Sequence, residues 1–299
     1  MNWRMWIGII IAAMVGIGAY LATASPPGLL SKLDAAMGGG TGVQHVGKNV
    51  GFGDHGQKLD IWRGDEASKS SRLPVVIFWH GGGWVKGSRQ DYAFAAKAFA
   101  REGFLVVIPD YRKVPDVHFP DYIVDGAQAV RWVQDNIAQY GGDPENIALS
   151  GHSAGAHTAV LIALDSRWIE NANGNIESIK AVVGMSGPYD FYPFDKKRSI
   201  DAMAQYDEPE RTQPVNFARA DAPAMLLLTS TKDTIVRPRN AIRLTEKLEA
   251  VGASVAMINY EGLTHEEVMM AISIPFRRTA TVLKDSAKFL NENMRVVEP

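Results

Sequence analysis

Short, uninterrupted runs of hydrophobic residues recur along the chain from residue 73 to residue 260. Each run has five to eight residues, which is strand length, and none alternates with polar residues as a half-exposed strand does. The runs are LPVVIFW, FLVVIP, NIALS, IKAVVGMS, PAMLLLTS and ASVAMINY. Such runs are typical of strands that are covered on both faces, as in a parallel sheet.

The stretches between these runs have the spacing of amphipathic helices. DYAFAAKAFAREG and DYIVDGAQAVRWVQDNIAQYGG both end on glycine, which commonly terminates a helix. Two earlier segments, VQHVGKNVGFG and QKLDIW, have strand character and are joined by a glycine-rich turn. Strands that alternate with helices predict βαβ units, so we expect one α/β domain over residues 43–299.

Two segments depart from this alternation. Residues 25–42 have Pro and Gly at both ends of a short helical piece, and we interpret them as a linker. Residues 187–222 are long, polar and aromatic. A connection of this length inside a compact domain is usually functional, so we expect a lid-like insertion there.

The first 24 residues have the composition of a secretory signal peptide. One arginine precedes an uncharged apolar stretch, and a small-x-small site follows at Ala22 and Ala24. The alternative is an uncleaved membrane anchor through residues 6–22, which is about the minimum length for a bilayer span. Both interpretations place the remaining chain outside the cytoplasm, in the periplasm or the extracellular space.

Composition excludes several classes of function. Lys and Arg total 31 against 33 Asp and Glu, and no long basic run suggests nucleic-acid binding. The chain has no cysteine, which excludes disulfides, thiolate zinc sites and a cysteine nucleophile. His152 and His157 are five residues apart and HEEVM does not match H-E-x-x-H, so we expect no metal site.

Ser153 lies in the sequence GHSAG, between the run NIALS and a helical stretch. A G-x-S-x-G sequence at a strand-to-helix turn is typical of a nucleophilic serine on a tight, strained turn. Gly151 and Gly155 leave room for that turn, and the helix N-terminus favours negative charge beside the serine. An ordinary glycine-rich connection is the alternative.

A second glycine-rich loop, HGGGW, follows the run LPVVIFW. The loop does not match the dinucleotide-binding motif G-x-G-x-x-G, because Lys86 occupies the position of the third glycine. It does not match the phosphate-binding loop G-x-x-x-x-G-K either, because Ser88 occupies the position of the lysine. The backbone N–H groups of Gly82, Gly83 and Ala154 could instead stabilise an oxyanion. A plain glycine turn is the remaining alternative.

The serine requires a base and an acid that orients it, in the chain order Ser, Asp or Glu, His. His265 is the candidate base because it follows the last predicted strand, whereas His157 belongs to the helix after the serine. Asp233 is the candidate acid because it follows the strand PAMLLLTS. The rivals are Asp221, which precedes that strand, and Glu266 and Glu267, which neighbour the base. His80 is interpreted as a support of the glycine loop and His152 as a local packing or hydrogen-bonding residue, and His45, His55 and His118 are interpreted as surface or loop residues.

Together these motifs resemble the α/β-hydrolase superfamily, in particular the hormone-sensitive-lipase-like and arylformamidase-like carboxylesterases. The residues that carry the resemblance are GHSAG, HGGGW, PDYR, Asp233 and His265. The resemblance implies a mostly parallel eight-stranded sheet with helices on both faces, and hydrolysis of carboxylic esters without a cofactor. The multi-helix N-terminal cap of the lipase-like group is missing from residues 25–42, which favours an open site.

The predicted function is therefore a serine esterase that cleaves small-molecule esters, with short acyl chains favoured. Trp84, Phe191 and Tyr192 are candidate substrate contacts, with plain core packing as the alternative. Within enzymes, the alternatives are an arylformamidase or amide hydrolase and a feruloyl, acetyl-xylan-type or polyester esterase. An inactive hydrolase fold that serves as an interaction module is the alternative outside enzymes.

Overall fold

A computed structural model of the protein describes residues 25–65 and 72–294. The predicted signal peptide or anchor, residues 1–24, lies outside this part of the chain. The strands are β1 Val43–Phe52, β2 Gln57–Gly64, β3 Leu73–Trp79, β4 Leu105–Pro109, β5 Gly142–His152, β6 Ile179–Met185, β7 Ala224–Ser230 and β8 Val255–Tyr260. The helices are α1 Pro26–Asp34, α2 Ala93–Arg101, α3 Asp121–Asn136, α4 Ala154–Leu164, α5 Arg167–Asn171, α6 Lys197–Met203, α7 Arg239–Ala250, α8 His265–Met270 and α9 Val282–Asn293.

The strands form one sheet in the order β1-β2-β4-β3-β5-β6-β7-β8. The pairs β1–β2 and β2–β4 are antiparallel, and every other neighbouring pair is parallel. The predicted eight-stranded, mostly parallel sheet is confirmed. All of the hydrophobic runs recognised in the sequence are strands of this sheet. The runs on β3 to β7 are almost entirely buried, whereas β8, at the edge of the sheet, exposes Ala256 and Asn259.

Successive residues of the central strands enter two separate hydrophobic cores. On β3, Val75, Ile77 and Trp79 belong to one core, and Val76 and Phe78 belong to the other. The first core is completed by α3, α4 and α7 and the second by α2 and α9. Because a strand turns alternate side chains to opposite faces, helices must cover both sides of the sheet.

The segment that we interpreted as a linker contains a helix packed on the domain. Leu30 of α1 is buried in the core that α2 completes. Asp34, at the end of α1, is also buried, accepts a hydrogen bond from the N–H of Ile274 and lies 3.6 Å from the ammonium of Lys97. Residues 25–34 therefore differ from the predicted linker, because these contacts are with residues far away in the chain.

The insertion at 187–222 holds the short helix α6 and two 3₁₀ turns, Pro209–Thr212 and Pro214–Phe217. It is attached to the domain through buried polar groups. The imidazole Nε2 of His157, on α4, lies 2.7 Å from the carbonyl oxygen of Thr212. The side chain of Asn240, on α7, accepts hydrogen bonds from the N–H groups of Tyr189 and Asp190. Among residues 25–65 and 72–294, no helix is long and apolar enough to cross a membrane.

Candidate active site

Ser153 occupies the sharp turn between β5 and α4. Its φ is 55° and its ψ is −120°, a conformation that side-chain-bearing residues rarely adopt. The turn is held by a hydrogen bond from the N–H of Ser153 to the carbonyl oxygen of Met185, at 2.9 Å. Strain of this kind costs about 1–3 kcal/mol and is concentrated at functional sites.

The two glycines of the serine motif are required by close backbone approaches. A Cβ atom on Gly151 would lie 2.5 Å from the carbonyl carbon of Gly155. A Cβ atom on Gly155 would overlap the carbonyl oxygen of Trp79, at the end of β3. These approaches hold the first turn of α4 against β5 and β3, so that the serine sits at the N-terminus of the helix.

Asp233 and His265 lie together at the same edge of the sheet. Asp233 follows β7, and its Oδ2 is 2.8 Å from Nδ1 of His265, the first residue of α8. Its Oδ1 accepts hydrogen bonds from the N–H groups of Ile235 and Val236, at 3.0 and 2.8 Å. Both side chains are buried. The carboxylate thus fixes the imidazole through Nδ1, and Nε2 is left without a hydrogen-bond partner among the residues described.

The rival acids have other contacts. Asp221 pairs with Arg219 on the exposed surface before β7. Glu267 accepts a hydrogen bond from the N–H of Thr264, whose hydroxyl in turn accepts one from the N–H of Glu267. This capping box sets the start of α8 at His265. Glu266 lines the cavity described next but, unlike Asp233, makes no hydrogen bond to the ring of His265.

A cavity of about 350 Å³ brings the serine, the histidine and the glycine loop together. Ser153, His265, Gly82, Gly83 and Ala154 all line it. Within residues 25–65 and 72–294, the N–H groups of Gly82, Gly83 and Ala154 donate to no other group, so they are available to a bound oxygen. The nucleophile, base and oxyanion donors predicted from the sequence thus line one cavity.

The HGGGW loop is supported from below by the PDYR segment that follows β4. The hydroxyl of Tyr111 donates to the carbonyl oxygen of His80 at 3.1 Å, and the two rings stack. Nδ1 of His80 lies 2.9 Å from the carbonyl oxygen of Gly81. Burial lowers the pKa of His80 to about 4, so the ring is neutral near pH 7. The predicted structural role of His80 agrees with these contacts.

The three aromatic candidates differ in their positions. Trp84 is buried, lines the cavity and stacks on Phe191, which lines it too. Tyr192 is not among the lining residues; it is 43% exposed and contacts Phe194. The structure therefore does not support Tyr192 as a substrate contact, because its side chain is exposed to solvent and lies outside the cavity lining.

His152 is a site residue whose position the sequence did not indicate. Its ring lies 4.7 Å from the ring of His265, and its Nε2 is 3.2 Å from the carbonyl oxygen of His265. Burial, and then the neighbouring His265, hold the pKa of His152 well below its usual range. A neutral His152 therefore donates to the backbone of the base and packs against its ring. The sequence feature that could have indicated this position is that His152 directly precedes Ser153 in GHSAG.

No cluster of three or more His, Asp or Glu side chains that could hold a metal ion occurs in the described part of the chain. The chemistry that this arrangement supports is carried by the protein's own groups. Acyl transfer requires a serine on a strained turn, an imidazole oriented by a buried carboxylate, and unpaired N–H groups, and this site has all three.

A family model named BD-FAE matches residues 59–248, a span from β2 to α7 that contains Ser153 and Asp233. The chain belongs to the BD-FAE family. Esterase LipQ of Mycobacterium tuberculosis is 30% identical over 258 residues, which cover 79% of this chain and 61% of LipQ. The chain spans about 60% of the length of the curated relatives that it matches first.

The fold of this BD-FAE protein is shared with solved esterase structures. The carboxylesterase EstE1, cloned from a metagenomic library, has a TM-score of 0.74 at 19% identity, covering 92% of this chain and 99% of EstE1. Est2 of Thermogutta terrifontis, solved with butyrate bound, has a TM-score of 0.67 at 23% identity, covering 84% of this chain and 93% of Est2. The predicted α/β-hydrolase fold is confirmed.

Proposed function

We propose that this BD-FAE protein is a serine carboxylesterase with a Ser153–His265–Asp233 triad. The observation that carries the proposal is the 2.8 Å contact between Asp233 and His265 at a cavity that Ser153 also lines. Membership of the BD-FAE family and the esterase names of its relatives support the reaction class.

In the first half-reaction, Oγ of Ser153 attacks the ester carbonyl while Nε2 of His265 takes the hydroxyl proton. Asp233 holds the imidazole in the tautomer with Nδ1 protonated and stabilises the imidazolium that forms. The N–H groups of Gly82, Gly83 and Ala154 stabilise the tetrahedral oxyanion. Each such donor lowers the barrier by about 2.7–4 kcal/mol in comparable sites.

Collapse of the tetrahedral intermediate breaks the bond to the alkoxy oxygen, which leaves with the proton from His265. Water then attacks the acyl-enzyme, again with His265 as the base, and releases the acid and free Ser153. No cofactor enters this sequence. The acyl group is proposed to be short, a preference supported by the modest cavity and by the butyrate in the related fold of Est2.

The test is labelling and turnover of the full chain and a Ser153→Ala variant. The wild-type protein is expected to react with a fluorophosphonate at Ser153 and to hydrolyse p-nitrophenyl acetate and butyrate. The Ser153→Ala variant should do neither. Ser150→Ala is the matched control, because this serine of β5, the strand that precedes Ser153, donates to the carbonyl oxygen of Val183 and does not line the cavity. Hydrolysis by Ser153→Ala at the wild-type rate would refute the nucleophile.

Export of the enzyme is also a proposal, and it is supported by the sequence of residues 1–24 alone. Fractionation of cells that express the full chain with a C-terminal epitope tests it. The esterase activity is expected outside the cytoplasm, either released or retained on the membrane. Recovery with cytoplasmic markers would overturn this part of the proposal.

A further inference from the structure

Positively charged side chains surround the mouth of the active-site cavity. Five cations line it against two anions, although the whole chain carries slightly more acidic than basic residues. They come from three segments that build the site: the glycine loop, the insertion with α6, and the segment from Asp233 to the start of α7. The cations are Lys86, Lys196, Arg198, Arg237 and Arg239, and the anions are Asp195 and Glu266.

Most of these cations lack a carboxylate partner. Lys196 lies 3.8 Å from Asp195, so this pair is largely neutralised locally. Within residues 25–65 and 72–294, the other four cations form no ion pair with a carboxylate. By contrast, Arg243 on α7 pairs with Asp190, and Lys197 on α6 pairs with Asp201. The uncompensated charge is thus located at the cavity mouth, where it can act on a bound molecule.

Arg198 lies beside Gly83 of the glycine loop. Its Cδ is 2.6 Å and its Nη1 3.5 Å from the position that a Cβ atom on Gly83 would take, so its side chain lies across the glycine loop. Gly83 provides one of the proposed oxyanion donors. The exposed guanidinium therefore lies beside the loop that is proposed to bind the ester carbonyl, and a side chain at position 83 would require it to move.

We propose that the preferred substrates of this site are esters that also carry an anionic group, a carboxylate or a phosphate, and that Arg198 is the main residue that binds it. This inference rests on the proposed esterase function and narrows its substrate class. A guanidinium binds carboxylate and phosphate through paired N–H donors, and Arg237, Arg239 and Lys86 add to the positive potential. A neutral ester gains nothing from these charges.

The experiment compares two esters with six-carbon acyl chains, p-nitrophenyl hexanoate and the mono-p-nitrophenyl ester of adipic acid. They differ in having a terminal methyl or a terminal carboxylate. A second pair, phenyl acetate and 4-carboxyphenyl acetate, places the charge on the alcohol side. The readout is the ratio of kcat/KM for the anionic ester to kcat/KM for its neutral counterpart, which removes effects common to both.

In at least one pair, Arg198→Gln is expected to lower this ratio by about three- to tenfold, the range for a partly exposed charge pair with hydrogen bonds. Arg198→Lys should retain part of the preference because it keeps the charge but loses the paired donors. The wild-type ratio should also fall as salt is raised from about 0.02 to about 0.5 M, because screening shortens the reach of the charges.

Lys197→Gln is the matched control, since it removes one positive charge from the neighbouring residue on the same helix. Lys197 is exposed, pairs with Asp201 and does not line the cavity. The kcat/KM ratio of the Lys197→Gln variant should therefore equal that of wild type. The inference would be overturned if the ratio fell equally in Lys197→Gln, or if it did not change in Arg198→Gln for either pair of esters. The esterase proposal would stand in both cases as long as the neutral esters are hydrolysed. Failure of fluorophosphonate labelling and of all turnover would overturn both.

Discussion

Oδ2 of Asp233 and Nδ1 of His265 are 2.8 Å apart although 32 positions separate the two residues in the chain. One follows β7 and the other follows β8, and these strands are parallel neighbours at one end of the sheet. The carboxyl ends of parallel strands meet at one edge, so both loops open on the cavity that Ser153 lines.

Replacing Asp233 with Asn tests the orienting role of the carboxylate. The amide keeps the oxygen that accepts from Ile235 and Val236, but its NH₂ group would face Nδ1 of His265 and favour the wrong tautomer. We expect kcat for p-nitrophenyl butyrate to fall by about 10³–10⁴-fold. Thermal unfolding should show that the fold is retained. A loss of less than tenfold would contradict the assigned role.

Gly155→Ala tests the packing of the serine turn. The added methyl would overlap the carbonyl oxygen of Trp79, so α4 must move away from β3. Overpacking of this kind costs about 1–3 kcal/mol, and the shift should also reduce esterase activity. Gly40→Ala is the control, because its Cβ would meet nothing within 4 Å and its φ is −91°. Urea unfolding measures the stability of both variants. Equal losses of stability would show that overlap with the carbonyl oxygen of Trp79 is not the cause.

Arg112→Met tests a buried charge beneath the glycine loop. The guanidinium of Arg112 holds the fully buried carboxylate of Asp125, which also accepts from Gln57. Removing one partner leaves that charge poorly compensated, so the free energy of unfolding should fall by about 3 kcal/mol. Arg131→Met removes an exposed pair with Asp135 and an exposed hydrogen bond to the carbonyl oxygen of Asn173, and should cost about 1 kcal/mol or less. Urea unfolding measures both variants, and comparable losses in the free energy of unfolding would disprove the stabilising role of the Arg112–Asp125 pair.

His157→Gln tests the pH dependence of stability. Burial lowers the pKa of His157 from 6.5 to about 4. Between these values the unfolded chain binds a proton that the folded protein does not, so stability is full above pH 6.5 and declines as the pH falls towards 4. The decline amounts to about 3 kcal/mol at its limit.

Glutamine can still donate to the carbonyl oxygen of Thr212 and does not titrate. The variant should therefore lose less stability than wild type between pH 6.5 and 4.5, measured by urea unfolding at several pH values. The stability of the variant should still decline somewhat with falling pH, because the pKa of His80 is also lowered to about 4. Parallel curves for the two proteins would show that protonation of His157 is not coupled to folding.

The sequence by itself determined the strands, the longer helices and the two glycine motifs, but not the short helices α5, α6 and α8. Their signals are local: the apolar runs specify strands covered on both faces, and GHSAG and HGGGW specify particular turns. Chain order then identified Asp233 and His265, because each follows a predicted strand and the loops after parallel strands share one edge.

The tertiary structure alone decided the contacts that depend on packing between distant segments. In the structure α1 packs on the domain, Tyr192 is exposed, His152 packs against His265, and cations from three segments line one cavity. No local pattern encodes these positions, because a side chain's burial, partner and charge environment are set by residues that the fold, and not the chain, makes its neighbours.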